Sequence, residues 1–437
     1  MPTSYLPYEP DQDLLLPHSL REWLPEDHLA HYISDTIDAL DLRAFYARYE
    51  DGGPRNQPFH PAMMVKVLVY GYATGVFSSR KIAKKLHEDV AFRLLGAGNF
   101  PKHRTLCDFR ALHLKELAAL FVQVVKLARE CGLVRLGTIA VDGTKLKANA
   151  SKHKAMSYGR MQAAEAQIDA LLARAAQADK AEAGEPDLDV PAEIARREQR
   201  LAAIRAAKGR LEQRQREADA ERGRQPDDGR FGPGGSGKQA GPAFKRPFGE
   251  PRAKAQDNFT DPDSRIMKSA AGFEQCYNGQ TAVDAEAQII VAAELTQCAA
   301  DSGQLPGMIA AVERNTGAVP AVVLADAGYR SEAVLARLAE SAPATDVLVA
   351  LGREGKRQVG IDAGRLPHSA AMAAKMDHPD GRGRYRRRKA IVEPPNARIK
   401  QVLGFRQFSL RGVEKVRCEF KLVCAALNLR RMATMAV

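Results

Sequence analysis

Three acidic residues in this chain sit where an ionised carboxylate is costly. Asp142 lies inside the apolar stretch IAVDGTKL, Asp326 ends VVLAD just before Ala327-Gly328-Tyr329, and Glu393 stands in AIVEPPNARIK. A carboxylate within or at the end of a buried strand loses its hydration and needs a partner. A divalent cation is one such partner. Mg²⁺ is hard, prefers carboxylate oxygens, and keeps water and substrate phosphate as its remaining ligands. Two such ions held about 4 Å apart can activate an attacking oxygen and stabilise a leaving one, which suits attack on an anionic phosphodiester. Taken singly, Asp142 or Asp326 reads equally well as a strand-end turn residue, and Glu393 as a solvated helix acid. Their order and setting favour the joint reading: first strand, fourth strand, late helix, with a basic patch against the last acid.

That patch dominates the charge of the chain. The formal net charge is +12, and from 380 to 437 fifteen Lys and Arg stand against four Asp and Glu. Nearly all the excess therefore lies in one stretch, densest in RGRYRRRK, and such a surface favours a polyanionic partner over a merely solvated face. Arg386, Arg387, Arg388 and Lys389 are the candidate backbone grips. Lys400, seven residues after Glu393, shares its helical face and can hold a phosphate.

The elements that must position these residues follow from periodicity. Residues 1–132 read as helical, with Leu29, Tyr32, Ile33, Ile37 and Leu40 at helical spacing. A helix is predicted over 62–74, stopped by Gly75. A shorter one follows Ser78 and Ser79, and a long one runs from about 105 to 130. Short helices and tight turns of this kind fit a helix-turn-helix module, which would bring Arg104, Arg110 and Lys115 to DNA, or equally a plain helical bundle. At Gly137 the pattern turns to strands: TIAVDGTKL, then GFEQCYNGQTAVD, QIIVAAELT, AVVLADAGY and DVLVAL, with the helix EAVLARLAE capped by Ser331 before the last of these. Between the first two strands, 155–224 reads as a helical hairpin with Ile194, Leu201, Ile204 and Leu211 as its seam. Its turn is GEPDLDVP, and the Gly- and Pro-rich stretch 225–256 is a flexible linker. The expected domains are thus a helical unit, 1–132, and an α/β unit, 133–437, with that interruption. No apolar run is long enough to span a membrane. The opening MPTSYLPYEPDQD lacks the basic and apolar regions of a secretion signal. Six scattered cysteines form no Cys-x-x-Cys pair, so a reduced, cytoplasmic setting is expected, close to the nucleoid for a DNA-binding chain.

Six segments in order, YGYATGVFSSRKIAKKLHEDVAFRLL, VDGTKLKANAS, NFTDPDSRIMK, GFEQCYNGQTAVD, LADAGYRS and VEPPNARIK, resemble the DDE transposases of bacterial insertion sequences. The resemblance implies a ribonuclease-H-like α/β fold: a mixed sheet flanked by helices, preceded by an all-α DNA-binding domain and interrupted by the helical hairpin. It implies Asp142, Asp326 and Glu393 as the catalytic, metal-holding triad, with two Mg²⁺ ions or Mn²⁺ in their place. It implies terminal inverted repeats and target DNA as partners, a homodimer on DNA, and no membrane. Members often carry a Tyr-Arg-Glu-Lys signature. Glu393 and Lys400 match its spacing, while Tyr385 and Arg388 each stand one place further from the glutamate. Many members also show Phe-Gly where this chain has Pro395-Asn396-Ala397. The only tryptophan is Trp23, so base stacking would fall to Tyr277, Tyr329 or Phe405. Competing readings are a nuclease of the same fold without strand transfer, and a transposase-derived DNA-binding protein that has lost catalysis. A coiled-coil structural protein explains only 155–223.

Overall fold

A computed structural model describes residues 19–49, 58–181, 190–226, 244, 246–269, 272–352 and 361–436. The order of elements explains how distant segments meet. Seven helices come first: α1 (Leu29–Ala39), α2 (Arg43–Tyr46), α3 (Pro61–Ala73), α4 (Ser79–Glu88), α5 (Val90–Leu95), α6 (His103–Leu112) and α7 (Leu114–Glu130). Strand β1 (Thr138–Lys147) opens the α/β part. An excursion follows, made of β2 (Ala155–Ser157), α8 (Tyr158–Ala181), α9 (Val190–Glu221) and β3 (Gln256–Asn258). The chain returns through β4 (Arg265–Ser269), β5 (Gly272–Asp284) and β6 (Ile290–Thr296), then α10 (Leu305–Thr316), β7 (Val322–Ala325), α11 (Glu332–Ser341) and β8 (Asp346–Val349). Helices α12 (Pro367–Asp377), α13 (Pro379–Arg386), α14 (Arg388–Ala397) and α15 (Val413–Ala436) complete it.

Among the described residues, six strands form one mixed sheet in the order β4-β5-β1-β7-β8, with β6 also paired to β5, and β2 and β3 pair separately. Strand β1 is antiparallel to β5 and parallel to β7, and β7 is parallel to β8. Strands β4 and β6 share the outer edge of β5, β4 along its first residues and β6 along its last. Central strands buried on both faces need continuous apolar runs. Ile139, Ala140 and Val141 of β1 and Val323, Leu324 and Ala325 of β7 supply them, all fully buried.

Helix α15 joins the two ends of the chain. It packs on α3, α7 and β6, and one hydrophobic cluster runs from Ile33 and Phe121 through Val141 and Leu324 to Phe420 and Leu427. Gly75 lets α3 end against this assembly. Its φ of +79° suits a residue without a Cβ, and an added Cβ would lie 2.6 Å from Leu403 O. A second small core holds the excursion together. Leu201, Ile204 and Leu211 of the predicted seam are buried with Tyr158, Met161 and Ile168. The Ile194 side chain, the turn at 184–189 and most of the predicted linker lie outside the described residues.

Several elements differ from their sequence-based expectation. The helix predicted over 105–130 is broken at His113. This residue is fully buried and lies 3.2 Å from the Tyr49 hydroxyl, and it alone separates the end of α6 at Leu112 from the start of α7 at Leu114. Strand β4 and helix α10 were absent from the sequence reading: β4 is a short edge strand, and α10 starts in a loop with no side-chain cap. Ser331 precedes α11 without donating or accepting a cap bond. Among the described residues, no helix is long and apolar enough to cross a membrane.

One buried polar network ties α15 to the N-terminal helices. Glu419 is fully buried and accepts from Ser409 N (3.0 Å), Leu410 N (3.1 Å), the Ser409 hydroxyl and the Tyr72 hydroxyl (3.3 Å). Tyr72 in turn accepts from Arg110 Nη1 at 3.0 Å, and the same nitrogen donates to Phe77 O at 3.2 Å. The network holds a buried cation and a buried anion, so removing one strands the other. Glu419→Ala is expected to cost about 3 kcal/mol or more in urea unfolding; a loss under about 1 kcal/mol would show that the network contributes little.

Candidate active site

Parallel pairing brings the first two acids together. Val141 lies opposite Ala325 in the last pair between β1 and β7, so Asp142, midway along β1, and Asp326, just past the carboxyl end of β7, stand side by side where that pairing stops. In open α/β sheets that edge is where ligands bind. Each acid is held by the backbone just after it: Asp142 Oδ1 accepts from Gly143 N at 2.9 Å, and Asp326 Oδ1 accepts from Gly328 N at 2.8 Å. Asp326 thereby caps the short 3₁₀ turn Ala327–Tyr329. Neither Oδ2 takes a hydrogen bond from a described residue.

The pair is electrostatically strained. Burial, and then the neighbouring Asp326, push the Asp142 carboxyl up to about 6, while Arg388 and the Gly143 N–H hold it back. Burial and the negative field of Asp301, Asp142 and Asp326 raise the Tyr329 phenol well above its ordinary range. Lys400 is lowered by burial, with Asp142 opposing that shift, so its ammonium faces the same site.

The basic run divides by face. Tyr385 and Arg388, three residues apart across the α13–α14 junction, turn inward with 7% and 6% exposure. Arg386, Arg387 and Lys389 face solvent. The inward guanidinium is the one whose charge reaches Asp142 and Tyr329. The spacing that shifts Tyr385 and Arg388 one place from the glutamate thus places both on the buried side of the helix.

Glu393 is placed differently from the other two acids. It is exposed on α14, in the middle of the helix and not at its start. The face of α14 turned to the sheet carries Ile391, Val392, Pro395 and Asn396, and the Thr281 hydroxyl donates to Asn396 Oδ1 at 3.1 Å. Thr281 is the register partner of Asp142. Pro394 and Pro395 lie inside the helix and withhold two backbone N–H groups, and the helix widens to a π turn over Arg398–Val402. Among the described residues, no three His, Cys, Asp or Glu stand close enough together to hold a metal ion. The donor set at Asp142 and Asp326 nevertheless fits a hard cation: adjacent carboxylates, each with one oxygen that takes no hydrogen bond from a described residue, one of them resisting ionisation.

The N-terminal candidates separate as well. Arg104 is exposed, its nearest acid being Asp108 at 3.8 Å, and Lys115 is exposed. The expectation for Arg110 is corrected: it is 6% exposed and bonded to Tyr72 and Phe77, so it stabilises the core and does not face DNA. Tyr277, Tyr329 and Phe405 are likewise at most 1% exposed and offer no face for stacking.

Sequence reasoning missed Asp301, in the loop between β6 and α10. Its Oδ1 accepts from Asn278 Nδ2 (2.7 Å), Gln280 Nε2 (2.7 Å) and Lys145 Nζ (3.2 Å). The Tyr329 hydroxyl donates to Gln280 Oε1. The only signal in the sequence was an acid before Ser302-Gly303 where a strand gives way to a helix.

Two family models match the chain. The Transposase domain (DUF772) covers residues 18–112, and the Transposase DDE domain covers residues 352–433. The second stretch contains Tyr385, Arg388, Glu393 and Lys400; Asp142, Asp301 and Asp326 lie outside both. No curated protein and no solved structure matches.

The raised carboxyl makes stability pH-dependent. Its folded value lies above the ordinary 3.8, so its contribution is fully present below pH 4 and is lost as pH rises through about 6. Displacement from 3.8 to about 6 is worth about 3 kcal/mol. Metal-free protein is expected to lose stability over that window in thermal melts at stepped pH. Asp142→Asn should flatten this slope; an unchanged slope in the variant would assign the effect elsewhere.

Proposed function

We propose that this chain, which carries a transposase domain at one end and a transposase DDE domain at the other and so fits a DDE transposase of an insertion element, cleaves DNA at the element's ends and joins them to a target. The observation that carries this reading is the side-by-side placement of Asp142 and Asp326 where the parallel pairing of β1 and β7 ends, with the repulsion on Asp142 only partly offset. The mixed sheet flanked by helices supports a ribonuclease-H-like catalytic unit, and the helices before Gly137 support a separate role in recognising the inverted repeats.

Asp142 and Asp326 would hold divalent metal through their free oxygens, with Glu393 as the third acid. Bound metal would supply an activated water or 3′-hydroxyl and neutralise charge on the attacked phosphate. The remaining work belongs to the protein. Arg388 faces the acid pair from the buried side of α14, where it balances their charge when no cation is present. Lys400 offers an ammonium in the same field and can orient a phosphate oxygen. Arg386, Arg387 and Lys389, on the open face, suit the DNA backbone, and binding through them should be steeply salt-dependent. Catalysis of this kind is positioning and charge stabilisation. Two ends must be held together, which calls for two copies on DNA.

The exposure of Glu393 favours one second reading, a transposase-derived DNA-binding protein without catalysis. A magnesium-dependent assay on plasmid carrying the element ends separates the two. The expected outcome is nicking and joining by the wild type. Asp142→Asn, Asp326→Asn and Glu393→Gln should each lower cleavage by at least about 100-fold, taking as a guide the loss of one charge-stabilising group, with end binding within a few-fold of wild type. Wild-type cleavage in any one variant would remove that residue from the triad, and no cleavage by the wild type would favour the second reading. Cutting without joining would point to a nuclease.

A further inference from the structure

We propose that Asp301 is a positioning residue for the acid pair, fixing the turn that carries Asp326 through Gln280 and Tyr329 and bracing the backbone that follows Asp142. The inference rests on the reading of Asp142 and Asp326 as metal-holding acids.

Four observations converge on this carboxylate. Its Oδ1 is saturated by three donors from two strands, Lys145 of β1 and Asn278 and Gln280 of β5, so the side chain is fixed in one orientation. Lys145 and Asp301 are each about four-fifths buried, which makes this more than a surface ion pair. The second observation is the relay. Gln280, once its amide nitrogen is engaged by Asp301, presents its carbonyl oxygen to the Tyr329 hydroxyl. Tyr329 is fully buried and belongs to the 3₁₀ turn that Asp326 caps, so the amide orientation set by Asp301 sets the position of that turn.

The third observation concerns two glycines. A Cβ on Gly143, the residue after Asp142, would overlap Asp301 Oδ1 and lie 2.7 Å from Gln280 Nε2. A Cβ on Gly328, two residues after Asp326, would lie 2.9 Å from Asp326 Oδ1 and 3.5 Å from Asp301 Oδ2. The Asp142 segment therefore dispenses with a side chain where this carboxylate approaches it; at Gly328 the space is taken by the Asp326 carboxylate itself, with Asp301 Oδ2 at ordinary contact distance beyond. The fourth is the free oxygen. Asp301 Oδ2 takes no hydrogen bond from a described residue and lies on the side of the Asp326 turn. It is placed to accept from a water or hydroxyl held by the acid pair. A partner of this kind orients ligands without touching the reacting atoms.

The test uses full-length protein and Mn²⁺ alone as the probe, read by electron paramagnetic resonance titration. Thermal melting and affinity for a duplex oligonucleotide are measured in parallel. Asp301→Asn keeps an acceptor for the two amides but loses the charge facing Lys145. It is expected to weaken Mn²⁺ binding by about 10- to 100-fold, the usual effect of losing an outer-shell partner, with DNA affinity close to wild type and a melting transition that is lowered by the stranded Lys145 charge but still cooperative. Tyr329→Phe removes the end of the relay without touching an acid, and a smaller loss in the same direction is expected. Wild-type Mn²⁺ affinity in both variants would overturn the proposal, as would a loss explained wholly by unfolding in Asp301→Asn combined with no loss in a folded Tyr329→Phe. Asp142→Asn, titrated alongside, tests the underlying reading separately. If it binds Mn²⁺ as wild type does, the premise fails; if it alone loses binding, only the role of Asp301 fails.

Discussion

The constraint on which the rest of this structure depends is the repulsion between two carboxylates set side by side where two neighbouring parallel strands stop pairing. Parallel pairing of β1 and β7 leaves Asp142 and Asp326 no choice but to be neighbours. Burial raises the cost of ionising Asp142, and the like charge of Asp326 beside it adds to that cost. The surrounding residues offset this cost without abolishing it. Arg388 contributes a cation from α14, Lys400 another from the π turn, and the Gly143 and Gly328 N–H groups each bind one oxygen. Complete neutralisation by protein cations would leave nothing for an incoming ion to stabilise; partial neutralisation keeps the chain folded and still favours a cation.

The same economy explains the division of the basic run. A guanidinium buried near an anion is stabilised by it, whereas one buried alone is not. Arg388 has Asp142 and Tyr329 in its field, so it turns inward, and its neighbours Arg386, Arg387 and Lys389 stay in water. Arg110 follows the same rule at a different place, drawn into the core by the Tyr72–Glu419 network.

Much of the fold could be read from local pattern. Asp142 and Asp326 were visible because each interrupts an apolar strand, and the strand sequence AVVLADAGY fixes both the strand and its acidic end. The seam Leu201, Ile204 and Leu211 was visible because its spacing has no other economical explanation. What escaped the sequence was set by distant contacts. His113 splits a continuous helical pattern because its ring packs with Phe45 and Phe109. Arg110 looked like a surface residue because the network it joins through Tyr72 ends at Glu419, over 300 residues away. Asp301 lies in a loop with no periodic signal, and its meaning comes from Asn278, Gln280 and Lys145 on two other strands. The exposure of Glu393 follows from which face of α14 lies on the sheet, a choice made by Ile391, Val392 and Asn396 together.

The neck of the excursion has a further consequence. Strands β2 and β3 pair antiparallel, Ala155 with Asn258 and Ser157 with Gln256, so the chain leaves and re-enters the α/β part at nearly one point. Arg210 and Arg214 of α9 clamp the fully buried Asp257 in that neck, which closes the loop from its own side. With both ends pinned, the length and content of the hairpin place little demand on the sheet, since the closure cost of a long loop grows only slowly with its length. The hairpin could therefore be lengthened, shortened or replaced at this seam while the placement of Asp142 and Asp326 in the sheet stays as it is.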